Sequence, residues 1–174
     1  MNFIHKLLFI VFFLFSFNIL NAQEKISYVD MEFLMNDSEA GKSITSQLTS
    51  LHKKTIEDLK KIEDELKKEE SEILKQKNVI STEEFEKKIN VLRNKAQNYQ
   101  KLRKENNDSL NKKRLDAMSS LVNIIQPILA DYANEKTISI IFQKKNIIIG
   151  KSELDVTDDI LKIVDSKIKK IKIN

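Results

Sequence analysis

Lys77-Asn78-Val79-Ile80-Ser81-Thr82-Glu83-Glu84-Phe85 holds the only turn-like stretch in a run, Lys42 to Gln126, that contains neither glycine nor proline. Through that run apolar residues recur at spacings of three and four among lysines and glutamates, the pattern of amphipathic helix. Interrupted once near its middle, it reads as a helical hairpin much longer than an ordinary pair of globular helices. Ser81 with Glu84 has the form of a capping box, and Ile80 and Phe85 stand where a hydrophobic staple places its two residues. Val79 and Ile80 are therefore expected to pack within the turn.

A register that sets Ile73 against Phe85 also sets Leu66 against Leu92, Ile62 against Ala96, Leu59 against Tyr99, Ile56 against Leu102 and Leu48 against Leu110. It places Glu70 opposite Lys88 and Lys42 opposite Asp116. Two heptad-like stripes that match once tend to match again, so part of this agreement is automatic. The second stripe then meets Arg103, Asn106 and Lys113 before apolar character returns at Ala117 and Leu121. Polar layers of this kind soften a coiled coil. Each arm helix should be about 55 to 65 Å long at 1.5 Å per residue.

Outward from the hairpin, Lys25-Ile26-Ser27-Tyr28-Val29 alternates and carries strand-forming residues. A short helical turn or loop over Asp30 to Asn36 follows, and Ser38 with Glu39 opens the first arm helix. Gly41 falls in that helix's opening turn, where its low propensity costs least. Beyond the arm, Ala117 to Ala133 is dense in apolar residues and suits burial, with Pro127 expected to kink the helix where arm meets body. Two strands are expected at Ile138–Phe142 and Asn146–Ile149, with Gly150 ending the second. Thr157 is expected to cap a last amphipathic helix carrying Ile160, Leu161, Val164 and Ile168, with Asp158 and Asp159 at its positive end. The layout predicts an α+β fold: a small strand body, residues 23–37 and 117–174, from which a coiled-coil arm, residues 38–116, protrudes.

Residues 1–22 read as a secretory signal, with Lys6 before the apolar block Leu7 to Leu20 and a small-residue cut after Ala22. The block is too short for a comfortable transmembrane helix. No cysteine is present, which excludes a disulfide framework and a lipid-modified cysteine. With 174 residues and 7% aromatics, and so much of the chain in a two-helix projection, the body is expected to share its core with other copies. The net charge of +4 is too small to demand nucleic acid. Its distribution is uneven: Ile73 to Lys104 holds nine cations, Lys75, Lys77, Lys87, Lys88, Arg93, Lys95, Lys101, Arg103 and Lys104, against three glutamates.

No catalytic constellation is legible. His52 has no second histidine or cysteine nearby and reads as a solvated or seam-edge residue rather than a metal ligand or base. Two glycines cannot make a phosphate-cradling loop, and Glu63-Asp64-Glu65 and Glu69-Glu70 read as solvated helix faces. No enzyme, cofactor or metal is expected.

The two ends of the mature chain resemble the Skp/OmpH family of periplasmic chaperones. The likeness rests on the opening Lys-Ile-Ser-Tyr-Val-Asp strand, the Ser38-Glu39-Ala40-Gly41-Lys42 entry into a charged hairpin, and Ile147-Ile148-Ile149-Gly150 leading into Asp155-Val156-Thr157-Asp158-Asp159-Ile160-Leu161. Glu135-Lys136-Thr137 departs from the family's glycine or small polar turn before the second strand, and Phe142-Gln143 from its closing aspartate. The resemblance implies a homotrimer whose strands build a common body, here Ile26, Tyr28, Val29, Ile138, Ile140, Phe142, Ile147 and Ile149. It implies three arms around a cavity that holds unfolded outer-membrane barrel proteins in the periplasm without ATP.

The basic distal arm has two readings, helix solubility or steering of acidic client segments and anionic lipid or lipopolysaccharide headgroups. An alternative from another class is an exported coiled-coil spacer or adaptor of the cell envelope. Export argues against nucleic acid as a partner.

Overall fold

The structure, a computed structural model, describes residues 24–173; the signal reading over residues 1–22 lies outside the described residues. Chain order is β1 (Lys25–Val29), α1 (Met31–Asp37), α2 (Glu39–Gln76), α3 (Thr82–Glu135), β2 (Ile138–Gln143), single 3-10 turns at Lys144–Asn146 and Ser152–Leu154, and α4 (Thr157–Lys167). The α+β class with a long helical hairpin is as the sequence predicts. Helix α2 has 38 residues and α3 has 54, hence lengths of about 57 and 81 Å at 1.5 Å per residue.

Strands β1 and β2 pair in parallel, with Ile26 opposite Ile140 and Tyr28 opposite Phe142. Parallel neighbours cannot be joined by a tight turn and need a crossover. Here the crossover is α1 and the whole hairpin. An irregularity between Lys25 and Ile26 shifts the pairing by a residue. It lets Ile138 join the core while Ile140 and Phe142 remain exposed on the opposite face.

The core lies between the sheet and the helix bases: Val29, Leu34 of α1, Ile44 and Leu48 of α2, Leu121, Ile125 and Ile128 of α3, and Ile160 and Val164 of α4. It reaches two to three turns into α2, further than the start of the arm at Ser38 suggested. Helix α3 continues through Pro127, which sits on an exposed face where the unpaired carbonyl one turn back can be hydrated.

Two corners fix how the arm leaves the body. Buried Ser38 ends α1 by donating its N–H to the Leu34 carbonyl at 3.3 Å and starts α2 by accepting the Gly41 N–H at 3.1 Å. A Cβ on Gly41 would lie 2.1 Å from the Met35 carbonyl oxygen. Gly41 therefore stands at this corner because α1 passes too close for a side chain. At the other corner, Thr137 follows α3 with φ 55°, the left-handed region that penalises a β-branched residue. The departure from a glycine-type turn over residues 135–137 is thus the place where backbone strain sits.

Two local expectations are corrected. Asn146–Ile149 forms no strand: β1's free edge is taken by Val156, whose N–H bonds the Tyr28 carbonyl at 3.0 Å, and Ile147 donates its N–H to the Lys144 carbonyl at 3.0 Å, so the Ile147–Ile149 segment pairs with no strand among the described residues. Thr157 does not cap α4 but is its first residue. Asp155 accepts the Thr157 N–H at 3.0 Å and its hydroxyl, while Thr157 Oγ1 accepts the Asp30 N–H at 2.9 Å. An acceptor two residues upstream reaches the first free N–H of the helix better than a side chain already inside it. Burial alone would raise the Asp155 carboxyl, but the bonds from Thr157 and Lys144, the latter at 2.9 Å, hold it below the ordinary value.

Gly41→Ala is expected to cost about 1–3 kcal/mol in urea unfolding, as overpacking does, and Thr137→Gly to add up to about 1 kcal/mol by relieving the left-handed strain. A depressed carboxylate stabilises above its unfolded pKa and loses that contribution as the pH falls through its folded one. Asp155→Asn should therefore lower the unfolding free energy measured in urea at neutral pH by about 1 kcal/mol, as for a lost cap, and the gap from the parent should close below pH 3.8.

Candidate functional site

The hairpin reverses two to three residues later than the apolar pairing predicted. Val79 and Ile80 both donate to the Gln76 carbonyl, at 2.9 and 3.1 Å, so the chain keeps winding past Lys77 before Ser81 opens α3. The reversal centres near Ser81-Thr82 instead of Val79. Lys88 consequently reaches Gln76 at 2.6 Å rather than Glu70, Lys95 reaches Glu69 at 2.8 Å, and the Tyr99 hydroxyl reaches Glu63 at 3.3 Å. Ser81 caps as expected, accepting the Glu84 N–H at 3.2 Å, while the Glu84 carboxylate turns to Lys88 at 3.7 Å. Ile80 and Phe85 are half-buried, but Val79 is 82% exposed and does not pack in the turn.

The shifted register leaves the arm thinly sealed. Between Leu48 and Ala117 the buried apolar residues are Ile73 and Tyr99. Ile56 and Leu102, expected to face each other, are exposed, as are Ala96, Leu51, Leu74, Val91 and Leu115. Tyr99 is the principal pin: its ring is buried, Arg103 stacks over it at 5.7 Å, and its hydroxyl bonds Glu63. The Lys67 ammonium, by hydrogen bond and charge, and the Tyr99 hydroxyl hold the Glu63 carboxyl below its ordinary value.

The nine distal cations share one region of the arm but not one environment. Lys87 pairs with Glu83 at 2.8 Å, Lys101 with Glu105 at 3.7 Å, and Arg93 bonds Asn90 at 2.9 Å, all within α3. The side chains of Lys75, Lys77 and Lys104 are exposed, and their ammonium groups make no hydrogen bond or ion pair among the described residues. Exposed cations interleaved with exposed Leu74, Val79 and Val91 give a surface that is both sticky and positive. His52 is exposed.

The eight residues expected to build the body divide. Val29, Tyr28 and Ile138 are buried within the chain; Ile26, Ile140 and Phe142 are 43–45% exposed; Ile149 is 91% exposed and Ile147 half-buried. Ile148, 98% exposed, was not singled out, although three consecutive isoleucines must turn at least one outward. Next to β2 an open groove of about 760 Å³ is lined by Met31, Met35, Val122, Leu129 and Ile141. Among the described residues no acidic or histidine cluster could hold a metal and no helix is long and apolar enough to cross a membrane.

The model of the OmpH-like outer membrane protein family matches residues 25–164. The chain belongs to the OmpH-like family. No curated protein matches it, but the crystal structure of a candidate OmpH-like outer membrane chaperone from Caulobacter crescentus superposes with a TM-score of 0.83 at 16% identity, over 88% of this chain and 90% of that one. At that identity the likeness is one of fold. The OmpH-like match spans both strands and the full hairpin and ends inside α4.

Tyr99→Ala should loosen the arm by about 3 kcal/mol, read as faster amide exchange over residues 60–105 with the body's protection retained. Lys95→Ala, removing a solvent-exposed ion pair, should change the same exchange by under about 1 kcal/mol.

Proposed function

We propose that this OmpH-like protein is an ATP-independent holdase of the periplasm, exported by residues 1–22, that keeps unfolded outer-membrane β-barrel proteins from aggregating. It has no catalytic role in this reading. The observation that carries it is the arm's surface: apolar side chains left half-exposed along both helices, interleaved with cations, over a seam pinned at few points. Such a surface makes many weak contacts whose sum is large and whose individual release is easy.

The body, residues 23–37 and 117–174, assembles a homotrimer in this proposal. Exposed Ile26, Ile140, Phe142, Ile148 and Ile149 and the methionine-lined groove form an apolar surface of the kind that monomers rarely leave uncovered. Ile148 and Ile149, which pair with no strand among the described residues, supply backbone groups that a neighbouring strand would satisfy. Arms 38–116 then enclose a common space, with Pro127 as the hinge at each root. The distal cations steer acidic client segments, and anionic lipid or lipopolysaccharide headgroups, towards that space.

Purified residues 23–174 should run as a trimer by native mass measurement and suppress aggregation of a urea-diluted barrel protein without nucleotide. A folded trimer that leaves aggregation unchanged and instead attaches stably to membrane or wall would establish the spacer alternative. Replacing Lys75, Lys77 and Lys104 together by alanine should slow client association about tenfold at low salt, with the difference fading at high salt.

A further inference from the structure

The C-terminal tail after α4 lies beyond the residues that the family model matches, which end at residue 164. Its chain leaves the helix at Ile168 in an extended conformation, φ −148° and ψ 125°. It then runs to the root of the arm, where one side chain receives it. Gln47 Nε2 donates to the Ile171 carbonyl at 2.7 Å, and Gln47 Oε1 accepts the Ile173 N–H at 3.3 Å.

Those two backbone groups flank Lys172, the carbonyl before it and the N–H after it. A residue on a parallel neighbouring strand engages the same pair. The Gln47 amide therefore stands in for a strand residue, and it reads main chain without regard to the side chain between. Ser43, one turn earlier, aims the amide through its carbonyl and hydroxyl, each 3.1 Å from Nε2. Ile171 and Ile173 alternate with Lys172, and they and Ile168 are half-buried at the core's margin, whereas the lysines are exposed and Lys169 pairs with Glu39 at 3.4 Å. The last fully buried core residue is Val164, and these isoleucines pack against the core from its edge.

We infer that the surface around Gln47 is a binding site for an extended polypeptide with apolar residues at alternate positions, occupied in cis by the chain's own tail. Alternation of that kind is the pattern of an outer-membrane barrel strand, so a client segment is the ligand that displaces the tail; this rests on the holdase reading. The site sits where each arm leaves the body. A strand captured there is held by backbone bonds, which suits clients of unrelated sequence.

The test uses residues 23–174, with two labelled peptides read by fluorescence anisotropy: residues 167–174 of this chain, and a barrel strand of about ten alternating residues. A full-length variant carrying Ile171→Asp and Ile173→Asp dislodges the tail. A latch closed nine-tenths of the time weakens apparent affinity about tenfold, so this variant should bind both peptides about tenfold or more tighter than the parent. Adding Gln47→Leu should abolish the gain. A dislodged variant with parental circular dichroism that binds neither peptide overturns the site; binding that survives Gln47→Leu overturns main-chain recognition; binding of the tail peptide alone overturns the client assignment. Aggregation suppression by the parent is scored separately, so a holdase without this site and a peptide site without holdase activity give different results.

Discussion

Everything in this molecule follows from the parallel pairing of β1 with β2. A parallel pair demands a crossover, and all of α1, α2 and α3 lies inside that one connection. The arm is therefore not an appendage attached at one end. Both its legs are fixed to the same small core, α2 through the Ser38–Gly41 corner and α3 through the apolar run from Leu121 to Ile128. Two strands alone are marginal as a sheet, so the body depends in turn on the helix bases that the crossover returns to it.

Helix α4 ties this arrangement together. Asp165 accepts the Glu39 N–H at 2.8 Å, placing a carboxylate at the positive end of α2, while Asp159 accepts the Tyr132 hydroxyl of α3 at 2.8 Å. Burial, and then that bond, push the Tyr132 phenol up to about 12, so it stays a neutral donor at any physiological pH. Through Asp155 and Thr157 the start of the same helix also reaches Asp30, the cap of α1.

The hairpin, its Ser81 cap, β1 and β2 were legible in the sequence because each is written locally, in a capping residue, an alternation or a breaker-free run. The features that escaped were those set by distant neighbours. Gly41 looked tolerated until the Met35 carbonyl was seen against it. The register looked fixed by apolar matching, but repeats of similar period match at several offsets, and two extra hydrogen bonds at Gln76 chose among them. Asn146–Ile149 has strand composition, yet composition supplies no hydrogen-bonding partner. Ile168 keeps helical spacing with Ile160 and Val164 and so reads as part of the last helix, yet the chain leaves that helix at Ile168 in an extended conformation.

The two attachments on α4, Asp159 and Asp165, are six residues apart, about 9 Å along the helix. Asp165 holds the root of α2, a leg about 57 Å long, and Asp159 holds the base of α3. To the extent that α2 moves as a rigid rod about its root, a tilt of about 6° at Glu39 swings its far end through about 6 Å. A small change in how Asp165 meets the start of α2 is thus magnified at the tip into a shift of about the spacing between neighbouring strands.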